Sequence, residues 1–161
     1  MIADSLNLFE TATQQVFSEI GFTHLSSEPP AGASQPQGIV ATVGITGTLL
    51  GYISLSTTIE SGQSFVQKLF ENLHMDIDEQ GFGQFHQEAL AELVNQITGR
   101  ATTLLEQDKI DCDITPPTIM VGENLYFNLS QLTESLHREI KGDFGSITLF
   151  VGIQKVNAKE E

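Results

Sequence analysis

Basic side chains are scarce in this sequence. Seven Lys and Arg residues stand against 21 Asp and Glu residues, which gives a formal net charge of −14 at pH 7. Nucleic acids and anionic membrane surfaces are bound through clusters of basic side chains, so the composition argues against both as partners. It also argues against a self-contained phosphate pocket, because such a pocket usually needs Lys, Arg or a metal ion.

Cysteine and long apolar runs are nearly absent as well. Cys112 is the only cysteine, which excludes an internal disulfide and favours a reducing compartment. No apolar run approaches the roughly 18 residues of a membrane-spanning helix, and the N-terminus lacks the basic and apolar regions of a signal peptide. We therefore expect a cytoplasmic protein with no membrane insertion, in which Cys112 is a small apolar residue beside a strand.

The hydrophobic pattern predicts a single domain over residues 1–161 that contains both helices and strands. The predicted helices span residues 4–20 (with Asp4 or Ser5 as the cap and Gly21 as the stop), 61–73 and 86–106. The predicted strands occupy residues 39–58 (a hairpin that turns at Gly47), 110–114, 118–121, 125–129 and 146–156. We expect a loop at 26–38, an acidic connector at 75–83 and a frayed tail at 157–161.

Residues 130–141 fit either a helix or a strand, since they combine helix-forming side chains with an alternating pattern, and we favour a hairpin that turns at 142–145. With that choice, the elements predict an α/β (α+β) fold. An antiparallel or mixed sheet would carry two long helices packed on one face.

The helix predicted over residues 86–106 has two chemically different sides. One side is an apolar stripe at a 3-4-3-4 spacing, formed by Leu90, Leu93, Val94, Ile97, Ala101, Leu104 and Leu105. The other side carries Glu88, Glu92, Asn95, Gly99 and Thr102. A glycine inside a helix costs about 0.5–1 kcal/mol relative to alanine, and close approach by a partner is one reason to accept that cost. The alternative is an ordinary solvated helix face, since single polar residues on outer faces are the norm.

Sequence motifs for a catalytic pocket are missing. There is no phosphate-binding P-loop, no dinucleotide-binding glycine motif and no nucleophile elbow. The four histidines form no i,i+4 pair, so surface or hydrogen-bonded roles are expected for them rather than metal ligation. Glu88 and Glu92 form an i,i+4 carboxylate pair, but no second cluster accompanies it. If the chain performs chemistry, we expect it to complete a site that belongs to another molecule.

Three segments follow one another in a recognisable order. They are the hairpin GITGTLLGYISLS, the helix ALAELVNQITGRATTLLE and the strand and proline segment IDCDITPPTIMVG. Together they resemble the CheX/CheC/FliY family of chemotaxis phosphatases, and CheX most closely. The resemblance runs from about Ile39 to Gly122 and more loosely to Val156. Within it, Glu92, Asn95 and Gly99 match the family's E-x-x-N-x-x-x-G helix, which occurs once here, as in CheX, whereas CheC-like members usually carry two.

The resemblance implies hydrolysis of the phospho-aspartate on a CheY-type receiver. Glu92 would pair with the receiver's active-site lysine, and Asn95 would orient the attacking water. The candidate partner-binding residues on the same helix are Glu88, Gln96, Gly99 and Thr102. One departure is Glu88, which stands where many members have Asp or Ser. No metal or cofactor of the chain's own is implied, because the receiver supplies Mg²⁺, and a homodimer is expected.

Two other functions remain open. The chain could be a non-catalytic adaptor of the same fold that binds a receiver or dimerises. It could also be a small-molecule-binding α/β domain, which a polar-lined pocket away from the Glu92 face would favour.

Overall fold

The computed structural model describes residues 2–30, 37–76, 83–125 and 134–156. In chain order its elements are α1 (Ile2–Glu19), β1 (Ser26–Glu28), β2 (Gln37–Gly47), β3 (Leu49–Thr57), α2 (Ile59–Asn72), α3 (Gln84–Gln107), β4 (Cys112–Ile114), β5 (Thr118–Leu125), β6 (Glu134–Gly142) and β7 (Gly145–Lys155). The predicted α/β (α+β) class is confirmed.

All the described strand pairs are antiparallel, and they form one sheet in the order β1-β6-β7-β3-β2. The free side of β2 is shared by two strands, with β4 beside residues 45–47 and β5 beside residues 37–42. Both predicted hairpins are present. Each turns at a glycine with a positive φ, +107° at Gly47 and +118° at Gly145, a conformation that L side chains rarely adopt.

The hydrophobic core lies on one side of this sheet. Alternate residues of the central strands point to that side and are buried, among them Ile39, Ala41, Val43, Ile53, Leu55, Ile147, Leu149, Val151 and Ile153. The long helices α1 and α3 pack over them, as predicted, and the shorter α2 completes the layer with Phe65, Val66 and Leu69. The core therefore anchors each helix by one side only and leaves the other side of α3 exposed.

The end of α1 follows its sequence signals, but its start does not. Gly21 adopts a φ of +94° and donates its N–H to Ser18 O at 3.1 Å, while the Phe22 N–H bonds Phe17 O at 2.9 Å. These two bonds form the glycine-dependent helix stop that was predicted. The prediction that Asp4 or Ser5 caps the helix is wrong, because α1 begins at Ile2. Asp4 instead lies in the first turn, where its charge favours the helix dipole.

The predicted loop at 26–38 is wrong at both of its ends. Ser26–Glu28 forms β1, which pairs with β6, and Gln37 and Gly38 already belong to β2. The three residues of β1 are exposed, so no apolar alternation reveals the strand. The ambiguous segment 130–141 is a strand from Glu134 onward. The remainder of these predictions, residues 77–82 of the connector, 126–133 and the tail 157–161, lies outside the described residues.

Candidate functional site

Helix α3 is fixed to the core along its apolar stripe. The side chains of Val94, Ile97, Ala101 and Leu105 are fully buried, and those of Leu90 and Leu93 are nearly so. The helix is two residues longer at its start than predicted, since Gly83 is its N-cap and donates its N–H to Nδ1 of His86 at 3.2 Å. This anchoring fixes which side of α3 points away from the protein.

The sequence-predicted site residues lie together on that outward side. At 3.6 residues per turn, Glu88, Glu92, Asn95, Gly99 and Thr102 fall in one row along the helix. Glu88, Glu92 and Gln96 are exposed, while Asn95, Gly99 and Thr102 are half-buried. We call these six residues the α3 row. The row is the outward side of a single helix, so a reaction there would need groups from a second molecule.

Two glutamines hold the carboxylates of the α3 row. Nε2 of Gln96 donates to Oε1 of Glu92 at 3.2 Å, and Nε2 of Gln84 donates to Oε1 of Glu88 at 3.1 Å. Gln84 precedes Glu88 and Gln96 follows Glu92, so each hydrogen bond runs along the helix on the side away from the other carboxylate. Gln84 is not among the predicted site residues, although its i,i+4 spacing to Glu88 is a signal that could have found it.

The Asn95 amide is available to a ligand. It forms no hydrogen bond to any other residue in the described part of the chain. A primary amide can donate two hydrogen bonds and accept two, so it can hold a water molecule and a second group at the same time. Its neighbour Glu92 lies three residues earlier, on the adjacent turn of the row.

Gly99 leaves a gap in the α3 row one turn beyond Asn95. A Cβ atom built at Gly99 would have no neighbour within 4 Å among the described residues, so their packing does not require a glycine there. The hydroxyls of Thr102 and Thr103 both donate to Gly99 O, at 2.9 and 3.1 Å. Thr102 therefore has its hydroxyl proton engaged within the helix, which leaves its oxygen lone pairs and its methyl group for a partner.

Arg100 is the only Lys or Arg in α3, and it turns towards α1. Its guanidinium donates to Glu19 Oε2 at 2.8 Å and to Gln15 Oε1 at 3.1 Å. The hydrogen bond from Arg100 lowers the pKa of Glu19 below its ordinary value of 4.5. Because this cation is paired within the chain, the α3 row itself presents carboxylates and amides.

Cys112 and two of the histidines have structural roles. Cys112 begins β4, is half-buried against the core, and has its thiol pKa raised by burial. The His86 ring is buried and caps α3. His137 lies on the sheet face opposite the helices, edge-on to Phe150, and burial lowers its pKa below 6.5. These residues contribute nothing to the α3 row.

A cavity of about 360 Å³ lies between α1 and the sheet, away from the α3 row. Its lining is mixed, with Phe17, Phe22 and Leu149 inside and polar side chains such as Glu10 and Thr13 around them. Those two polar groups are already bonded within the chain, Glu10 to Arg138 and Thr13 to Phe9 O. The other polar side chains of the lining are exposed, so the cavity does present polar groups to a small molecule; they are Gln14, Ser18, Thr23 and Ser27.

No three His, Cys, Asp or Glu side chains within the described ranges lie close enough to ligate a metal ion. None of the helices formed by those residues is long and apolar enough to cross a membrane.

The chain matches one protein-family model and several solved structures. The family model of the chemotaxis phosphatase CheX matches residues 39–141, which is more than half of the chain. No curated protein sequence matches that of this chain.

Solved structures share the fold over nearly their whole length. The chemotaxis protein CheX from Vibrio vulnificus is 14% identical with a TM-score of 0.77, over 93% of this chain and 96% of that one. A CheC-like superfamily protein from Shewanella sp. PV-4 is 15% identical with a TM-score of 0.80, over 96% and 99%. The CheX of the CheX–CheY–BeF3–Mg²⁺ complex from Borrelia burgdorferi is 23% identical with a TM-score of 0.75, over 92% and 97%.

Proposed function

This chain belongs to the family of the chemotaxis phosphatase CheX, and we propose that it hydrolyses the phospho-aspartate of a CheY-type receiver. The proposal treats residues 1–161 as a single CheX-like phosphatase domain that acts in the cytoplasm. The observation that carries it is the α3 row, in which an exposed Glu92 and a half-buried Asn95, whose amide bonds no other described residue, lie on the side of a helix opposite its buried stripe. A CheX of the same fold, in Borrelia burgdorferi, has been captured in complex with CheY.

Glu92 is the proposed anchor of the complex. Its carboxylate would meet the ammonium group of the receiver's active-site lysine, which would bring the two surfaces into register. Gln96 supports this role because it already restrains the carboxylate through the 3.2 Å hydrogen bond. Glu88 extends the same negative surface by one turn, and Gln96, Gly99 and Thr102 are proposed to contact the receiver around it.

Asn95 is the proposed catalytic residue. Its amide would hold a water molecule in line with the phosphorus–oxygen bond of the acyl phosphate. Attack forms a new oxygen–phosphorus bond and breaks the bond to the aspartate, which releases inorganic phosphate and a free carboxylate. Phosphoryl transfer depends mainly on positioning and electrostatics, so an amide that orients water is sufficient without a strong base.

The divalent cation for this reaction would belong to the receiver. No group of three metal-ligating side chains occurs among the described residues of this chain, and Mg²⁺ is part of the CheX–CheY complex from Borrelia burgdorferi. In this division of labour the receiver supplies the metal, the lysine and the phosphoryl group, and this chain supplies an amide and an anchoring carboxylate.

A homodimer is part of the proposal, and β5 is its candidate edge. Within the described sheet, β5 pairs only with β2. Its Met120 and Val121 side chains are 56% and 45% exposed, which is unusual for large apolar residues on an edge strand. Pairing with β5 of a second copy would satisfy the backbone groups of this edge and place a cross-strand neighbour beside each of these side chains. Sedimentation of the intact protein tests this, because Met120→Lys should shift a dimer towards monomer.

The test of the proposed function is the decay of a phosphorylated CheY-type receiver in the presence of Mg²⁺. Decay should be faster with this protein than without it, and Asn95→Ala should remove most of the acceleration. Binding to the phosphorylated receiver without any acceleration would instead identify the non-catalytic adaptor. Neither binding nor acceleration would leave the α3 row as a solvated helix face.

A further inference from the structure

We infer that Gly99 is the point at which the receiver touches the backbone of α3, and that this contact sets how far the Asn95 amide reaches into the receiver. The inference rests on the proposed function and adds a residue that determines the spacing between the two proteins. Only a residue without a side chain can fill this role, because the receiver is proposed to touch the backbone of the helix itself.

The described residues give no reason for a glycine at position 99. At Gly38 an added Cβ would come within 2.7 Å of the Ile59 side chain, and at Gly51 it would collide with the backbone carbonyl of Gly152. Gly21, by contrast, needs its positive φ. Gly99 has neither constraint, since its helical backbone suits any residue and no described residue lies within 4 Å of an added Cβ. A glycine that weakens a helix without internal cause points to an external contact.

The threonines beside Gly99 keep the gap open. Both the Thr102 and the Thr103 hydroxyl fold back onto Gly99 O instead of projecting outward. In an α-helix the same oxygen also accepts the backbone N–H four residues on. These three donors use the acceptor capacity of Gly99 O. The receiver surface that faces Gly99 should therefore be apolar or flat, with no group that needs a hydrogen bond from this carbonyl.

The length of the Asn95 side chain explains why the spacing matters. Its amide extends only two carbon atoms from the backbone, so it can enter a receiver site only if the surfaces nearly touch. Gly99 lies one turn away in the same row, where any side chain would act as a spacer. A displacement of about 1 Å in a catalytic group can cost roughly 100-fold in rate.

The experiment compares Gly99→Ala and Gly99→Leu with the wild type in thermal unfolding and in dephosphorylation of a CheY-type receiver. Alanine should raise the melting temperature by about 2 °C, because it favours the helix and meets no neighbour. The same variant should lower the rate about 10- to 100-fold, and leucine should lower it further. Thr11→Ala on the exposed side of α1 is the matched control, since it also raises helix propensity but leaves the rate unchanged.

Each result bears on a separate claim. Gly99 variants as active as the wild type would overturn the spacing role, and a melting temperature lowered by Gly99→Ala would show an internal reason for the glycine. Asn95→Ala in the same assay tests the proposed function itself. A wild type that neither binds nor dephosphorylates the receiver would overturn both. Binding to the receiver held with BeF3 and Mg²⁺ should weaken in the order glycine, alanine, leucine.

Discussion

Replacing Glu92 by alanine should separate receiver binding from protein stability. The exposed carboxylate loses its hydrogen bond from Gln96, which is worth about 0.2–0.5 kcal/mol on a helix surface. The change also removes the repulsion between Glu92 and Glu88, an effect of similar size and opposite sign. Alanine adds a few tenths of a kcal/mol in helix propensity. The free energy of unfolding should therefore change by less than about 0.5 kcal/mol.

The effect on binding should be much larger. A charge-assisted hydrogen bond to a lysine contributes about 1.5–3 kcal/mol, so the dissociation constant for the receiver should rise roughly 10- to 100-fold. General electrostatic attraction cannot compensate, because this chain carries a net charge of −14 and receiver active sites are themselves acidic. The dephosphorylation rate at subsaturating receiver should fall in proportion.

Urea unfolding followed by circular dichroism and titration with the phosphorylated receiver would measure the two quantities. Glu71→Ala on α2 is the matched control, because it removes one exposed carboxylate from a helix that lies outside the α3 row. The control should bind like the wild type. If Glu92→Ala binds equally well, or if Glu71→Ala weakens binding to the same extent, the anchoring role of Glu92 is refuted.

Three other predictions concern the scaffold. Ile97→Ala opens a cavity beneath the α3 row and should lower the free energy of unfolding by about 2–5 kcal/mol in urea titrations; a loss below 1 kcal/mol would contradict the packing. Arg100→Gln should return the pKa of Glu19 towards 4.5, measured by NMR titration, and an unchanged pKa would contradict the ion pair. Burial in the folded protein lowers the pKa of His137, so stability should fall as the pH drops through 6.5, where the unfolded histidine gains a proton first, and then level off below the folded pKa. His137→Gln should lack that contribution when unfolding is compared between pH 5 and 8, and an identical pH dependence in both proteins would contradict it.

The sequence predicts the elements whose signals are local. The apolar stripe of α3 and the glycine turns at Gly47 and Gly145 depend on spacing within a short segment, so they could be placed without a structure. Residues Ser26–Glu28 could not, because β1 is exposed and exists only through its pairing with β6. The strand order could not be predicted either, because it too depends on pairing between distant segments. Strands β4 and β5 share one side of β2, and their composition does not indicate this.

The site shows a similar division. The wheel alone places Glu92, Asn95 and Gly99 on one side of a helix, and the structure puts them there. Hydrogen bonds such as that from Gln84 to Glu88 depend on rotamers, which the sequence does not specify. The empty space around Gly99 depends on what the rest of the chain leaves unfilled, so it could be learned only from coordinates.

The most direct test of the account is the steady-state rate of receiver dephosphorylation, measured over a range of phosphorylated receiver concentrations for the wild type and Asn95→Ala. If Asn95 orients water only in the transition state, kcat should fall about 100-fold while KM changes little. An unchanged kcat would contradict the account, whether KM stays the same or rises, because Asn95 would then be at most a docking residue.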